Sequence, residues 1–313
     1  MRLAPACDPT PVNRRDFIAH SGVFAASAAV GGHAARPAAA AECGPPLGVQ
    51  LFTVRDALQR DPRATLARLR EIGFTQAELY GLSGRENGLF GLSATEPKNA
   101  FAANALSVEL AHVDGALTNT AAIADFAAEL GVTTAIVALP AELGAARNGR
   151  WPVAPADARA QLDVLAEKLD RTGRDYRARG IQFGYHNHDV ELAPVDGIVP
   201  LDYLMSRTNP DLVKMELDLG WLALAGANPA EYLRRYSGRV VACHMKDFDA
   251  RIASDVPERK LVEPGAGAVD FGAVAAAMRE AKVEHAFIEI DVSADPLGAL
   301  ARGYRYLKTR LAC

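Results

Sequence analysis

Cysteine is scarce in this chain: four in 313 residues, at positions 7, 43, 243 and 313. Cys7 lies in a segment read below as removed, and the remaining three are odd in number and widely spaced. Such a set makes no disulfide framework, even in an oxidising compartment. Long apolar runs are missing as well. The best candidate, Phe17 to Gly32, is too short and too weakly hydrophobic to be a spanning helix. Nor does one sign of charge dominate, because 34 basic residues face 38 acidic ones for a net −4. That balance offers nothing to nucleic acid or to an anionic membrane. Finally, no phosphate-binding glycine turn follows the first strand, GVQLFTVRD. Its lack argues against a doubly wound dinucleotide-binding sheet.

The first forty residues differ from the rest. Asn13-Arg14-Arg15-Asp16-Phe17 precedes the mild apolar run, which carries His20, and an Ala-rich stretch from Ala38 to Ala41 follows. An n-region, an h-region and a small-residue cleavage site make residues 1–41 an expected export signal. The arginine pair and the weak apolar core resemble the twin-arginine type. Its removal takes away four Arg and two Asp, so the net charge falls from −4 to −6. Glu42 stands where a lipobox before Cys43 would need a small residue. The expected product is a periplasmic or otherwise exported protein, residues 42–313, with no membrane attachment.

From Leu47 onward one pattern repeats: a short β-rich run, a polar break, then a helical stretch. Strands are expected to end near Phe52, Leu79, Ala111, Ala138, Tyr185, Leu217, Cys243 and Ile288. Helices are expected near 62–72, 96–104, 119–130, 155–179, 200–207, 229–236, 270–281 and 296–311. A capping residue followed by proline opens three of them, at Asp61-Pro62, Asn228-Pro229 and Asp295-Pro296. Glycine ends others, at Gly73, Gly131 and Gly180. No linker interrupts the series. Eight strand–helix units in one domain are the arithmetic of a closed (β/α)8 TIM barrel, whose chemistry gathers at the C-terminal ends of its strands.

Those ends carry unusual residues. Strand 2 brings Glu78 and Tyr80, and strand 3 brings His112 and Asp114. Strand 5 stops in His186, Asn187, His188 and Asp189. Strand 6 has Lys214, Glu216 and Asp218 at alternate positions, hence on one face. Strand 7 gives His244 and Lys246, and strand 8 gives Glu289 and Asp291. A lone histidine there is commonly just a satisfied hydrogen-bonding residue, Lys214 and Glu216 could pair inside the barrel, and Asp291 could cap the last helix region. Jointly, charges aimed into a barrel mouth need partners, and a divalent cation is the simplest shared one. Two imidazoles with two carboxylates suit Mn²⁺, Co²⁺, Zn²⁺ or Fe²⁺. The glycine-rich loop Glu263-Pro264-Gly265-Ala266-Gly267 reads either as an anion-binding nest or as a tight turn.

Together, GVQLFTVRD, YHNHDVEL, ELDLGW, HMKD, PGAGAVDF and FIEID resemble the xylose-isomerase-like TIM barrels, the group of sugar phosphate isomerases and epimerases. The likeness covers nearly all of Leu47 to Leu311. It implies one divalent metal held at the ends of strands 5 to 8 by Glu, Asp, His and Glu. Asp218, His244 and Glu289 match the last three. The first falls on His186, or on His188 if the register slips by two, where the family has glutamate. Epimerases of this family flank the substrate with two metal-bound glutamates, and here only Glu289 matches. The implied chemistry is proton abstraction beside a metal-polarised carbonyl, with Glu289 as base and His112 or Lys246 steadying the enediolate or protonating a leaving oxygen. Gln50, Glu78, His188 and Glu216 are expected to contact the substrate.

That chemistry serves an isomerase or epimerase-like enzyme, and equally a lyase acting by β-elimination on a keto sugar or keto-glycoside. Export favours an unphosphorylated carbohydrate. A non-catalytic sugar-binding barrel is the competing reading, told apart by whether the purified protein holds stoichiometric metal. An abasic-site endonuclease on the same barrel would need a basic DNA face, which a charge of −6 does not supply. Self-association stays open.

Overall fold

The computed structural model describes residues 44–84, 89–92, 96–113, 117–140, 143 and 157–311. The expected export signal, three of the cysteines and Asp114 lie outside them. Eight parallel strands close into a barrel in the order β1-β8-β7-β6-β5-β4-β3-β2. They are β1 Leu47–Gln50, β2 Gln76–Leu82, β3 Ser107–Val113, β4 Thr134–Ala138, β5 Gln182–His186, β6 Lys214–Asp218, β7 Val240–Met245 and β8 His285–Ile288. Val49 pairs with Ile288 to complete the ring.

Ten helices are described: α1 Arg55–Arg60, α2 Pro62–Ile72, α3 Glu96–Ala103, α4 Thr120–Leu130, α5 Ala158–Arg177, α6 Pro200–Arg207, α7 Leu219–Leu224, α8 Pro229–Arg235, α9 Phe271–Ala281 and α10 Pro296–Leu311. The starts follow local chemistry. Asp61 accepts from the Ala64 amide and Asn228 from those of Ala230 and Glu231, each with proline at the first helical position. Two helices escaped the sequence pattern. α1 grows out of a 3-10 turn over Leu51–Val54, and α7 begins the moment β6 ends. In α7 the cap is Asp218, a residue whose type reads first as a ligand. No helix among the described residues is long and apolar enough to cross a membrane.

Inside the barrel, side chains two apart on each strand stack in layers. The lowest layer is a plug of Leu110, Ile136, Ala242 and Phe287. Gly48 and Gly184 make room for it, since a Cβ there would stand 2.5 Å from the Phe287 ring and 2.7 Å from Ile136. With that end closed, every inward side chain further along the strands is part of the opposite mouth. The remaining core lies outside the barrel, between strands and helices, and includes Phe74, Phe126, Phe183 and Leu300.

Candidate functional site

The inward residues above the plug form two storeys. The lower holds Glu78 of β2, His112 of β3, His186 of β5, Glu216 of β6 and His244 of β7. Glu216 is its centre: Oε2 stands 2.7 Å from His112 Nε2, 2.9 Å from His186 Nδ1 and 3.2 Å from His244 Nε2. Glu78 Oε2 lies 2.7 Å from His244 Nε2. Ladder pairing fixes this arrangement, because His186 sits opposite Glu216 and Asp218 opposite His244. Three imidazole rings pack together with centroids 4.4 to 5.2 Å apart.

The upper storey holds Asp218, Lys246, Glu289 and Asp291. Lys246 Nζ reaches all three carboxylates, at 2.9, 2.8 and 2.7 Å respectively. Its ammonium also lies 5.6 Å from the centroid of the Trp221 ring. Asp218 divides its oxygens. Oδ1 accepts from the Gly220 and Trp221 amides, and Oδ2 turns to Lys246, His186 and His244. Gly220 is required for that approach, since a Cβ there would stand 2.5 Å from Lys246 Cβ.

Histidine is what joins the storeys. His244 directs Nε2 down to Glu78 and Nδ1 up to Glu289 Oε2, 2.8 Å away. His186 directs Nδ1 down to Glu216 and Nε2 up to Asp218 Oδ2, 3.5 Å away. Thus His186 Nε2 and His244 Nδ1 both turn to Asp218 Oδ2, and His244 Nδ1 also to Glu289 Oε2, each imidazole anchored below by a carboxylate. A carboxylate behind a ligating histidine fixes its tautomer and orientation. Two donor groups have metal-compatible spacing: Asp218, His244 and Glu289 in the upper storey, and His112, His186, Glu216 and His244 in the lower. Four buried carboxylates and the half-buried Asp291 face one permanent cation, Lys246. The surplus negative charge must be offset by protons on the imidazoles or by a divalent cation, and the mixed nitrogen and oxygen donors suit a borderline metal.

Protonation follows the same geometry. Burial alone would lower the pKa of His244, but Glu216, Glu289 and Glu78 outweigh it and hold the imidazole well above its ordinary value. His112 is raised too, with Glu78 and Glu216 overcoming burial. His186 goes the other way: burial and the neighbouring His244 push it down to about 4, which keeps it neutral. Neutral imidazole with Nδ1–H given to Glu216 leaves a lone pair on Nε2. The paired lower carboxylates split in turn. Burial and Glu216 raise Glu78 to about 7, whereas Glu216, surrounded by imidazoles, stays well below the usual range despite burial. Glu289, held by Lys246 and His244 against burial, is ionised.

Above both storeys opens a cavity of about 470 Å³, lined among others by His112, His186, His188, Glu289 and Asp291. These are the residues a small molecule meets. Gln50, Glu78 and Glu216 do not reach it. All three are fully buried, Gln50 capping the 3-10 turn at Phe52 and donating to the Leu79 carbonyl. They stand beneath the cavity lining, not on it. Lys246 is equally buried beneath its carboxylates and does not line the cavity. His188 does line it, and its backbone amide donates to Glu191 Oε2 at 3.1 Å.

Two residues gain weight from the structure. Asp291, whose expected alternative was to cap a helix, faces the cavity beside Glu289 and is raised to about 6 by burial. Glu191 was not singled out at all. It is wholly buried, accepts from the Tyr185 hydroxyl at 2.8 Å, and pins the turn after β5. Its signal was the spacing His188-x-x-Glu191, a side chain returning to a turn amide three residues back.

The glycine-rich loop is a nest with its own anion. Asp247 Oδ2 accepts from the Gly265 and Gly267 amides, and Oδ1 from those of Phe248 and Val269, at 2.8 to 2.9 Å. A Cβ on Gly267 would stand 2.4 Å from that carboxylate. Of the two expectations, the turn is the one realised, and its amides are already spoken for.

Known proteins share this architecture. Over 165 residues, 48% of the chain, it is 30% identical to an inosose dehydratase of Clostridium botulinum, a stretch covering 55% of that protein. The chain thus spans about half the length of the curated relatives it matches. A sugar phosphate isomerase/epimerase from Parabacteroides distasonis superposes with a TM-score of 0.68 at 21% identity, covering 85% of this chain and 94% of that one. The IolI protein with a bound zinc atom gives 0.64 at 13% identity, covering 85% and 98%. At these identities the superpositions speak for the fold. Residues 37–310 match the family of the xylose isomerase-like TIM barrel, and the chain belongs to that family.

Proposed function

We propose that this chain is a metal-dependent carbohydrate lyase or isomerase that removes a proton next to the carbonyl of an unphosphorylated keto sugar, with β-elimination as the favoured outcome. One observation carries the choice: the carboxylates that line the cavity, Glu289 and Asp291, both follow β8, while β5 offers imidazole. His186 is committed to Glu216 through Nδ1 and turns Nε2 to Asp218, which leaves it no nitrogen to serve as a second base. Two-faced epimerisation therefore lacks its partner, and one-faced removal does not need it.

His186, Asp218, His244 and Glu289 are the residues that would hold the ion, of which Zn²⁺, Mn²⁺, Co²⁺ and Fe²⁺ suit the donor set. When bound, it supplies Lewis acidity that acidifies the C–H beside a carbonyl. Glu289 takes the proton. Its Oε2 is held by His244 and Lys246, so Oε1 is the oxygen left for the substrate. Those contacts keep it ionised and also weaken it as a base, so the acidified C–H must supply the difference. His112, which lines the cavity and is held above its ordinary pKa by Glu78 and Glu216, donates to the leaving oxygen. Lys246 balances the three upper carboxylates without touching substrate. The inosose dehydratase relatives, which by name eliminate water, are in keeping with this outcome.

The test is incubation of the metal-loaded protein with keto-inositol and 3-keto sugars in D₂O, followed by NMR. Loss of water or of a glycosidic leaving group together with deuterium at the neighbouring carbon is expected. Deuterium without loss would overturn elimination in favour of isomerisation, and neither would return the barrel to a binding protein. Export through residues 1–41 is part of the proposal. Changing Arg14 and Arg15 to Lys should trap precursor in the cytoplasm, and unimpaired export would dismiss the twin-arginine route.

A further inference from the structure

The chemistry proposed above occupies only one side of the cavity. Imidazoles and carboxylates of β3, β5 and β8 form that side. Phe52 of the turn after β1 and Tyr80 of β2 line another part of it, beside Arg55 and Glu258. A sugar ring carries polar groups on nearly every carbon and needs hydrogen-bonding partners around it. Around Phe52 the partners are few: the Tyr80 hydroxyl, Glu258, and Arg55, whose Nη1 is given to two carbonyls. At about 470 Å³ the cavity also falls in the range of roughly 300–1,000 Å³ that encloses drug-sized molecules, larger than one hexose.

The apolar side is built, not collapsed. Phe52 and Tyr80 are only half-buried, set edge to face with centroids 5.5 Å apart, and Phe90 backs Tyr80 at 5.1 Å. Arg55 stacks on the Phe52 ring at 4.1 Å. Its Nη1 donates to the carbonyls of Phe52 and Asp291 at 2.8 and 3.1 Å, which ties the aromatic wall to the β8 rim. Among the described residues Gly81 leaves the neighbouring space open, with nothing within 4 Å of where its Cβ would be. Fixed aromatic edges beside a gap suit a flat apolar guest, by ring–ring contact and burial.

We infer that the cavity contains a second subsite for an aryl aglycone, so that the substrate class is a keto-glycoside bearing a flat apolar group and not a free monosaccharide. Phe52 and Tyr80 are its specificity-determining residues. The inference rests on the proposed function only for which half of the cavity reacts. The aglycone would then be the group that departs when the proton is removed two atoms away: the C–H bond breaks toward Glu289, the C=C bond forms, and the C–O bond breaks with its oxygen taking a proton from His112. No oxidant enters that balance.

The experiment is calorimetric titration of the full chain, metal-loaded, with phenyl β-D-glucopyranoside, methyl β-D-glucopyranoside and cellobiose as probes. Phenyl glucoside should bind at least tenfold more tightly than the other two. Tyr80→Leu and Phe52→Leu should erase that gap while leaving the methyl glucoside value within twofold, and Tyr80→Phe should keep it. Equal binding of phenyl and methyl glucoside overturns the subsite. So does tighter binding of cellobiose, which would mark a place for a second sugar, or loss of all probes alike in correctly folded variants. Deuterium exchange on keto sugars is read separately. A phenyl gap without exchange sinks the chemistry and keeps the subsite, and exchange without a gap does the reverse.

Discussion

The two storeys of the mouth use the same side chains for different ends. Upstairs, Asp218, Glu289 and Asp291 surround an ammonium, and the last two line a cavity. Downstairs, Glu78 and Glu216 surround imidazoles and see no solvent at all. Depth decides the role. A carboxylate at the cavity can exchange protons with a substrate, whereas one beneath a histidine can only decide which ring nitrogen keeps its hydrogen. Substitutions that alter one storey and spare the other separate the two roles.

The largest effect is expected upstairs. Glu289→Gln keeps an oxygen donor and the side chain's volume, so metal content should hold while turnover drops by about 10²–10⁴-fold, the usual loss of a general base. Elemental analysis beside a deuterium-incorporation assay checks both halves, and retained exchange would move the base to Asp291 or His188. Next comes Lys246→Met. It strips the counter-charge from three buried carboxylates, and breaking such a pairing typically costs about 3–5 kcal/mol. The metal-free variant should melt well below wild type, and added Zn²⁺ or Mn²⁺ should restore more of its stability than it gives the wild type. An unchanged melting temperature without metal would mean the carboxylates simply take up protons instead.

Glu191 tests the turn that carries His188. Burial raises its carboxyl from 4.5 to about 7, against the pull of Tyr185 and the His188 amide. A group raised on folding stabilises fully below its unfolded value, and that contribution is lost as pH climbs through the folded one. The chain should therefore lose stability between pH about 4.5 and about 7 through this residue, by up to about 3 kcal/mol. Glu191→Gln should flatten that slope in denaturant titrations across the window. An unaltered slope would clear the residue of the role. The smallest effect belongs downstairs. Glu216→Gln replaces the anion shared by three imidazoles with a neutral amide, and metal affinity should weaken by about 10–100-fold, with the ¹⁵N shifts of His186 and His112 moving in NMR. Unmoved shifts would say that packing alone orients the rings.

The barrel was legible because its strands and helices alternate with clear periods and with caps such as Asp61-Pro62 and Asn228-Pro229. Strand-end residues were legible for the same reason: His112, Asp218, His244 and Glu289 stand where a barrel mouth must be. What the pattern could not carry was depth. Glu78 and Tyr80 differ by two positions on one strand, share a face, and end up below and beside the cavity respectively. Stagger between neighbouring strands sets that difference, and it is a property of the closed sheet rather than of any local run. Asp218 misled in a milder way. Its one oxygen caps α7 and its other faces the site, and a residue type announces only one such duty at a time.

Asp247 has a further consequence, in terms of motion. Surface loops commonly order only when a ligand supplies the missing acceptor for their amides, and binding then costs conformational entropy. Here four amides already end on one carboxylate that the chain itself provides, one residue beyond Lys246. The turn after β7 is therefore stiff before any guest arrives. Lys246 is carried on a strand whose exit is clamped, and the distance from its ammonium to three carboxylates is set by the fold and not by the substrate.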